Sequence, residues 1–142
     1  MTHAILAAFL FMATVTTLPP QATQCATGDA TALARTIYTE ARGESVAGQT
    51  AVANVIRNRV ESPVTWWGTD YASVIAMPYQ FATGDTTTEA MCEIAEGVMA
   101  GDIADNVDGA THFHAASVSP DWPGLVVVAE IGEHLFYRRG TR

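Results

Sequence analysis

Leu33, Ala34, Ile37, Tyr38 and Ala41 recur at the spacing of one helical stripe, so the stretch from Asp29 to Ala41 is predicted to be an amphipathic helix. Asp29 or Thr31 can cap its start and Gly43 can stop it. A second stripe, Ala51, Val52, Val55, Ile56 and Val60, opens after Ser45 and is ended by Pro63, which gives a second, core-facing helix. The run from Thr86 to Glu89 has the hydroxyl-to-carboxylate spacing of a capping box, and it opens a helix to about Ala100 that buries Met91, Ile94, Ala95 and Val98. Between these helices, Pro63 to Asp85 is rich in Trp, Tyr, Gly and Pro without a period, and reads as a structured loop region with one short helix at Tyr71 to Ala76. Leu125 to Ile131 and His134 to Arg138 are β-rich and separated by Gly132-Glu133, the length of a tight hairpin turn. The expected fold class is α+β, mostly helical, with a small β-hairpin.

The leading stretch has a different pattern. Ala4 to Leu18 is apolar and uncharged and ends at Pro19-Pro20, too short for a comfortable membrane span but suited to the core of a signal peptide. Residues 1–24 are therefore read as a signal peptide or an uncleaved N-terminal anchor with its polar tether, and 25–142 as the folded domain. The protein is expected to be exported, and to touch a membrane only through that segment. Of the two cysteines, Cys25 and Cys92, either both are free or they form one bridge across about 65 residues.

Composition narrows the function. A length of 142 residues fits one domain, and 49% apolar residues suffice for a core. The net charge of −8 excludes electrostatic capture of nucleic acid, which needs clustered cations.

Three groups of residues can carry chemistry. Glu40 lies at the end of the first helix, where the negative end of the helix dipole and any burial both raise a carboxyl pKa towards that of a usable general acid. Arg35 and Arg42 work in the opposite direction. Glu44, four residues on, is either a partner on the same face or simply the residue after the helix. The stretch from Gly109 to His114, if extended, turns His112 and His114 to one side and Thr111 and Phe113 to the other. Two histidines at that spacing can begin a zinc site, yet no third ligand stands at a persuasive distance along the chain, so no metal and no cofactor is expected. Trp66, Trp67, Tyr79, Phe81 and Trp122 lie in loop-like segments, where aromatic faces suit sugar rings and Gln80 can orient a ligand, or where they fill a small core. The sequence has neither a Gly-rich phosphate loop nor a G-x-S-x-G elbow.

These residues also stand in longer matches. LARTIYTEARGES (Leu33 to Ser45), GQTAVANVIRNRV (Gly48 to Val60), QFA (Gln80 to Ala82), GATHFHA (Gly109 to Ala115), PDW (Pro120 to Trp122) and IGEHLFYR (Ile131 to Arg138) resemble, in order, the catalytic domain of the spore cortex-lytic and cell-wall hydrolases of the SleB/CwlJ type. The resemblance implies a lysozyme-like or lytic transglycosylase-like fold and cleavage of peptidoglycan glycan strands by a monomeric domain. It further implies that Glu40 is the catalytic acid, and that Gln80, Phe81, Thr111, His112, Phe113, His114 and Trp122 line the glycan groove. Ala82 stands where that family is expected to have Ser, and Phe113 where Tyr is common. The separate wall-binding domain that many relatives carry has no counterpart in this sequence.

With one convincing carboxylate, the expected reaction is that of a lytic transglycosylase cutting between N-acetylmuramic acid and N-acetylglucosamine, because an ordinary glycosidase needs two. The alternatives are a hydrolytic muramidase or glucosaminidase, a non-catalytic wall-binding module, and a zinc amidase built on His112 and His114.

Overall fold

The computed structural model describes residues 23–140, so the apolar stretch read as a signal or anchor lies outside the described residues. Helix α1 spans Gly28–Ala41 and buries Leu33, Ala34, Ile37 and Ala41 of the stripe expected from its spacing, with Tyr38 half-buried at its edge. Its cap is Thr27, whose side chain accepts from the Ala30 amide, two residues ahead of Asp29 and four ahead of Thr31, the expected caps. Asp29 instead lies in the first turn, where its charge favours the helix dipole. Helix α2 (Val46–Val60) begins where the second stripe was expected to open, with Ser45 as its cap, and buries nine of its fifteen residues. Such wide burial means that α2 is covered on two sides.

One side of α2 packs with α1, α3 (Tyr71–Ala76) and α4 (Glu89–Ala100) around Leu33, Ile37, Ile56, Val74, Met91, Ile94 and Val98. The other side places Ala51 and Val55 against Val107, Ala110 and Phe136. Helix α4 buries the residues expected of it, but its cap is Thr88 rather than Thr86, because the chain stays extended until that hydroxyl accepts from Met91 N–H. Gly101, at φ 79°, closes α4 in the left-handed conformation that glycine adopts without penalty. Cys25 and Cys92 are joined, which ties the segment before α1 to α4.

The sheet has three strands, β1 (His112–Ala115), β2 (Leu125–Ile131) and β3 (His134–Arg139), in the antiparallel order β1-β3-β2. The hairpin is as expected, with Gly132 at φ 59° as its first turn residue. An irregularity between Val127 and Ala129 shifts the register, which explains why β2 does not alternate cleanly between buried and exposed.

Polar groups on α2 place β1. Asn54 donates to Ala104 O (3.2 Å) and Asn106 Oδ1 (3.1 Å), and Asn58 to Asp105 Oδ2 (3.2 Å) and Ala110 O (3.0 Å). These bonds satisfy amides at the core boundary and hold the loop that leads into the strand. Among the described residues no helix is long and apolar enough to cross a membrane.

Candidate active site

Glu40 projects from the last turn of α1 into a concavity of about 630 Å³, across from Ala115 and His134. A second concavity of about 530 Å³ shares those three residues and adds Arg59, Trp66, Tyr79, Gln80 and the rest of the β1 wall. A third, of about 520 Å³, continues from the shared Trp66, His112 and Trp122 towards Arg138 and Arg139. Shared walls make these successive stretches of one groove. Glu40 stands where its polar stretch meets its aromatic stretch.

The carboxyl of Glu40 is half-buried, and desolvation raises its pKa above the ordinary 4.5. The Ala82 amide, which donates to Oε1, and the nearby His134 oppose that rise without cancelling it. Burial is thus the largest cause, and the opposition comes from these two groups. Since Ala82 acts through its main chain, Ala in place of Ser leaves that contact intact. A carboxyl of raised pKa beside a groove can hold a proton at a pH where ordinary carboxylates have lost it.

Glu44 lies after α1 and lines the polar stretch with Glu40, but the group it pairs with is His134. Glu44 Oε1 lies 3.2 Å from His134 Nδ1, with side chains 12% and 14% exposed respectively. The His134 nitrogen is not aimed for a straight hydrogen bond, so the contact is mainly electrostatic. Gly132 makes it possible, since a Cβ there would strike the Glu44 carboxylate.

The β1 residues divide as their alternation required. His112 and His114 turn towards Trp122, with ring centroids 5.4 and 5.5 Å away, while Phe113 stacks on Phe136 at 5.8 Å. His114 Nε2 shares a hydrogen bond with Tyr137 OH (2.7 Å), and its Nδ1 lies 2.6 Å from Ala115 O. His112 Nδ1 bonds the Thr111 hydroxyl (3.0 Å), and burial together with Arg59 and Arg139 lowers the His112 pKa. Among the described residues no three His, Cys, Asp or Glu groups converge as a metal set. Phe113 packs in apolar surroundings that ask for no hydroxyl, and it still lines the groove beside Glu40.

Gln80 and Trp122 line the groove next to Glu40, together with His112 and His114. Thr111 reaches only the far stretch, and Phe81 lines none of the three, packing below against both core clusters. Trp67 is buried, its indole N–H donating to Arg59 O (3.0 Å), whereas Trp66 is 58% exposed in the groove. Tyr79, at φ 63° and fully exposed, borders the groove from a backbone conformation that costs a bulky residue energy.

Arg59 escaped the sequence reading. It is 4% exposed, donates from Nε to Thr111 O (2.7 Å) and from Nη1 to Gln80 Oε1 (3.0 Å), and lies 4.8 Å from the Phe81 ring centroid. Burial pushes its pKa down to about 10. It therefore joins the loop carrying Gln80 to the strand carrying His112. The signal was its place on the Val52, Val55, Ile56 stripe, where a cation is out of character.

A proton-holding carboxyl in an aromatic-walled groove is the equipment of a glycan-cleaving enzyme. The Cell Wall Hydrolase family profile matches residues 43–137, and the chain belongs to that family. Among solved structures it is similar to the catalytic domain of the Bacillus cereus SleB protein, with 26% identity and a TM-score of 0.68 over 85% of this chain and 95% of that one. It is equally similar to the catalytic domain of the germination-specific lytic transglycosylase SleB from Bacillus anthracis, with 26% identity and a TM-score of 0.68 over 85% of this chain and all of that one. No curated protein sequence matches. The fold is accordingly the lysozyme-like one, and the protein is a wall-degrading enzyme.

Proposed function

We propose that this enzyme is a lytic transglycosylase that cleaves peptidoglycan between N-acetylmuramic acid and N-acetylglucosamine, with Glu40 as its general acid and then its base. The observation that carries the reading is that Glu40 is the carboxylate lining the aromatic stretch of the groove, while Glu44 is engaged by His134. One of the two similar structures carries this activity in its name. In the first step Glu40 gives its proton to the glycosidic oxygen as the bond to muramic acid C1 breaks. The carboxylate then takes the proton of the C6 hydroxyl, whose oxygen closes on C1 as a 1,6-anhydro ring, and the acid is restored.

Trp66, Tyr79 and Trp122 offer faces for sugar rings, Gln80 is a polar handle held by Arg59, and His112, Phe113 and His114 form the wall beside the scissile bond. Phe81 and Thr111 act from beneath, by holding Arg59. The Cys25–Cys92 bridge supports export into an oxidising compartment, with residues 1–24 as signal or anchor and 25–142 as the catalytic domain.

Mass spectrometry of digested sacculi tests the reaction. Muropeptides should end in 1,6-anhydro-N-acetylmuramic acid, one water lighter than a hydrolysis product and resistant to borohydride. Reducible muramic acid ends would instead make Glu44 or Glu133 the second carboxylate of a muramidase, since both line the polar stretch. Asp70 is less suited to that role, because it caps α3.

A further inference from the structure

The far stretch of the groove has a charge that the rest of the molecule lacks. The chain contains seven basic residues, all arginine, against fifteen acidic ones. Arg138 and Arg139 nevertheless both border the concavity of about 520 Å³ behind Trp66 and Trp122, and no Asp or Glu does. Arg138 donates to the Arg139 main-chain oxygen (3.4 Å), and its one carboxylate among the described residues is Asp108, at 3.3 Å and 73% exposed, an ion pair that water largely screens. Arg139 has no side-chain acceptor among the described residues.

Arg59 lies beneath the neighbouring stretch, and both its hydrogen-bond acceptors are neutral. A guanidinium buried without a carboxylate leaves its charge uncompensated by the protein. His112, which belongs to both stretches, feels Arg59 and Arg139 together. Two cations of β3 therefore border one aromatic hollow in an acidic protein, and the α2 cation Arg59 lies under the stretch next to it. Such a hollow suits a ligand that is apolar or sugar-like in body and anionic in one group.

Resting on the peptidoglycan reading above, we propose that this hollow is a subsite for a carboxylate carried on the lactyl arm of muramic acid. The sugars of the strand are otherwise neutral. The carboxylate has two sources, the stem peptide or the lactyl group itself once the peptide has been removed, and recognition of either makes the enzyme selective for muramic acid strands over neutral glycans.

The test uses three substrates made from one batch of sacculi: intact, with stem carboxyls amidated through carbodiimide, and stripped of peptide by an amidase. Binding of the Glu40→Gln protein is read by co-sedimentation, and turnover of the parent by release of soluble fragments. Whichever of the intact and stripped sacculi carries the recognised carboxylate should bind and be cleaved at least about fivefold better than the amidated ones, and 0.5 M salt should erase most of that ratio. The Arg138→Gln/Arg139→Gln pair should raise KM on that substrate and bring the ratio near one. Stripped strands binding better than both intact and amidated ones would assign the lactyl carboxylate; intact strands binding better than both amidated and stripped ones would assign the stem peptide. Equal binding of intact, amidated and stripped sacculi, unchanged by the arginine substitutions, overturns the proposal whatever the turnover. Absence of cleavage of any sacculus by the parent defeats the transglycosylase reading instead, and the binding comparison still decides this one.

Discussion

At the scale of single residues, Glu40 has opposite effects on function and on stability. Its folded pKa is raised, so the fold favours the protonated form. The associated stabilisation is complete below the unfolded pKa and is lost as pH rises through the folded one. Glu40→Gln is therefore expected to cut wall lysis by roughly 10²–10⁴ while leaving Tm at pH 7 equal to or above that of the parent, measured by calorimetry on both proteins. A variant that is folded and active would remove Glu40 from the mechanism. The same shift sets a pH limb: lysis should decline as pH rises through the Glu40 pKa, above 4.5. His134→Gln withdraws one of the groups that oppose the rise, so its limb should move to higher pH. A limb that stays in place would mean that His134 does not act on Glu40.

At the scale of elements, the hairpin turn and the end of α1 depend on each other. Gly132 occupies φ 59°, and its missing side chain leaves the room taken by the Glu44 carboxylate. Gly132→Ala should cost about 1–2 kcal/mol for the left-handed conformation alone, and more because Glu44 must leave His134. Calorimetry should show the lower Tm, and the lysis profile should shift as it does for His134→Gln. An unchanged Tm and profile would show that the turn and the pair are independent. Strand β1 makes a related point about order of dependence, since it reaches its place against β3 only because Asn54, Asn58 and Arg59 on α2 bind the loop before it.

At the scale of the whole molecule, the Cys25–Cys92 bridge spans a sequence separation of 67 and fastens the segment before α1 to α4, at the first core cluster. Closing so long a loop removes conformations from the unfolded chain, worth roughly 4 kcal/mol on the chain-entropy account. Reduction, or Cys92→Ser, should therefore lower Tm by more than about 10 °C. A Tm insensitive to dithiothreitol in the parent would show that the bridge contributes little. Because the groove is built mainly from α1, α2, the Gln80 loop and the sheet, residual activity at low temperature is expected to survive reduction.

Local pattern was enough for the helices and the hairpin, because burial of one stripe or one face depends on spacing that the chain carries in itself. Leu33, Ala34, Ile37 and Ala41, Ala51, Val52, Val55 and Ile56, and Met91, Ile94, Ala95 and Val98 are buried as their periods required, while Tyr38 and Val60 at the edges of their stripes are half-buried. Caps were less legible: Thr27 and Thr88 won over equally plausible neighbours because the direction of the incoming chain decides which hydroxyl reaches the first free amide. Glu40, Gln80, the histidines of β1 and Trp122 could be named from residue type and family resemblance, and the fold gathers them along one groove. Arg59 beneath Gln80, Glu44 against His134, and Arg138 with Arg139 behind Trp122 were decided only by tertiary structure. Each joins segments far apart in the chain, and an ion's worth depends on burial and distance, neither of which a linear sequence specifies.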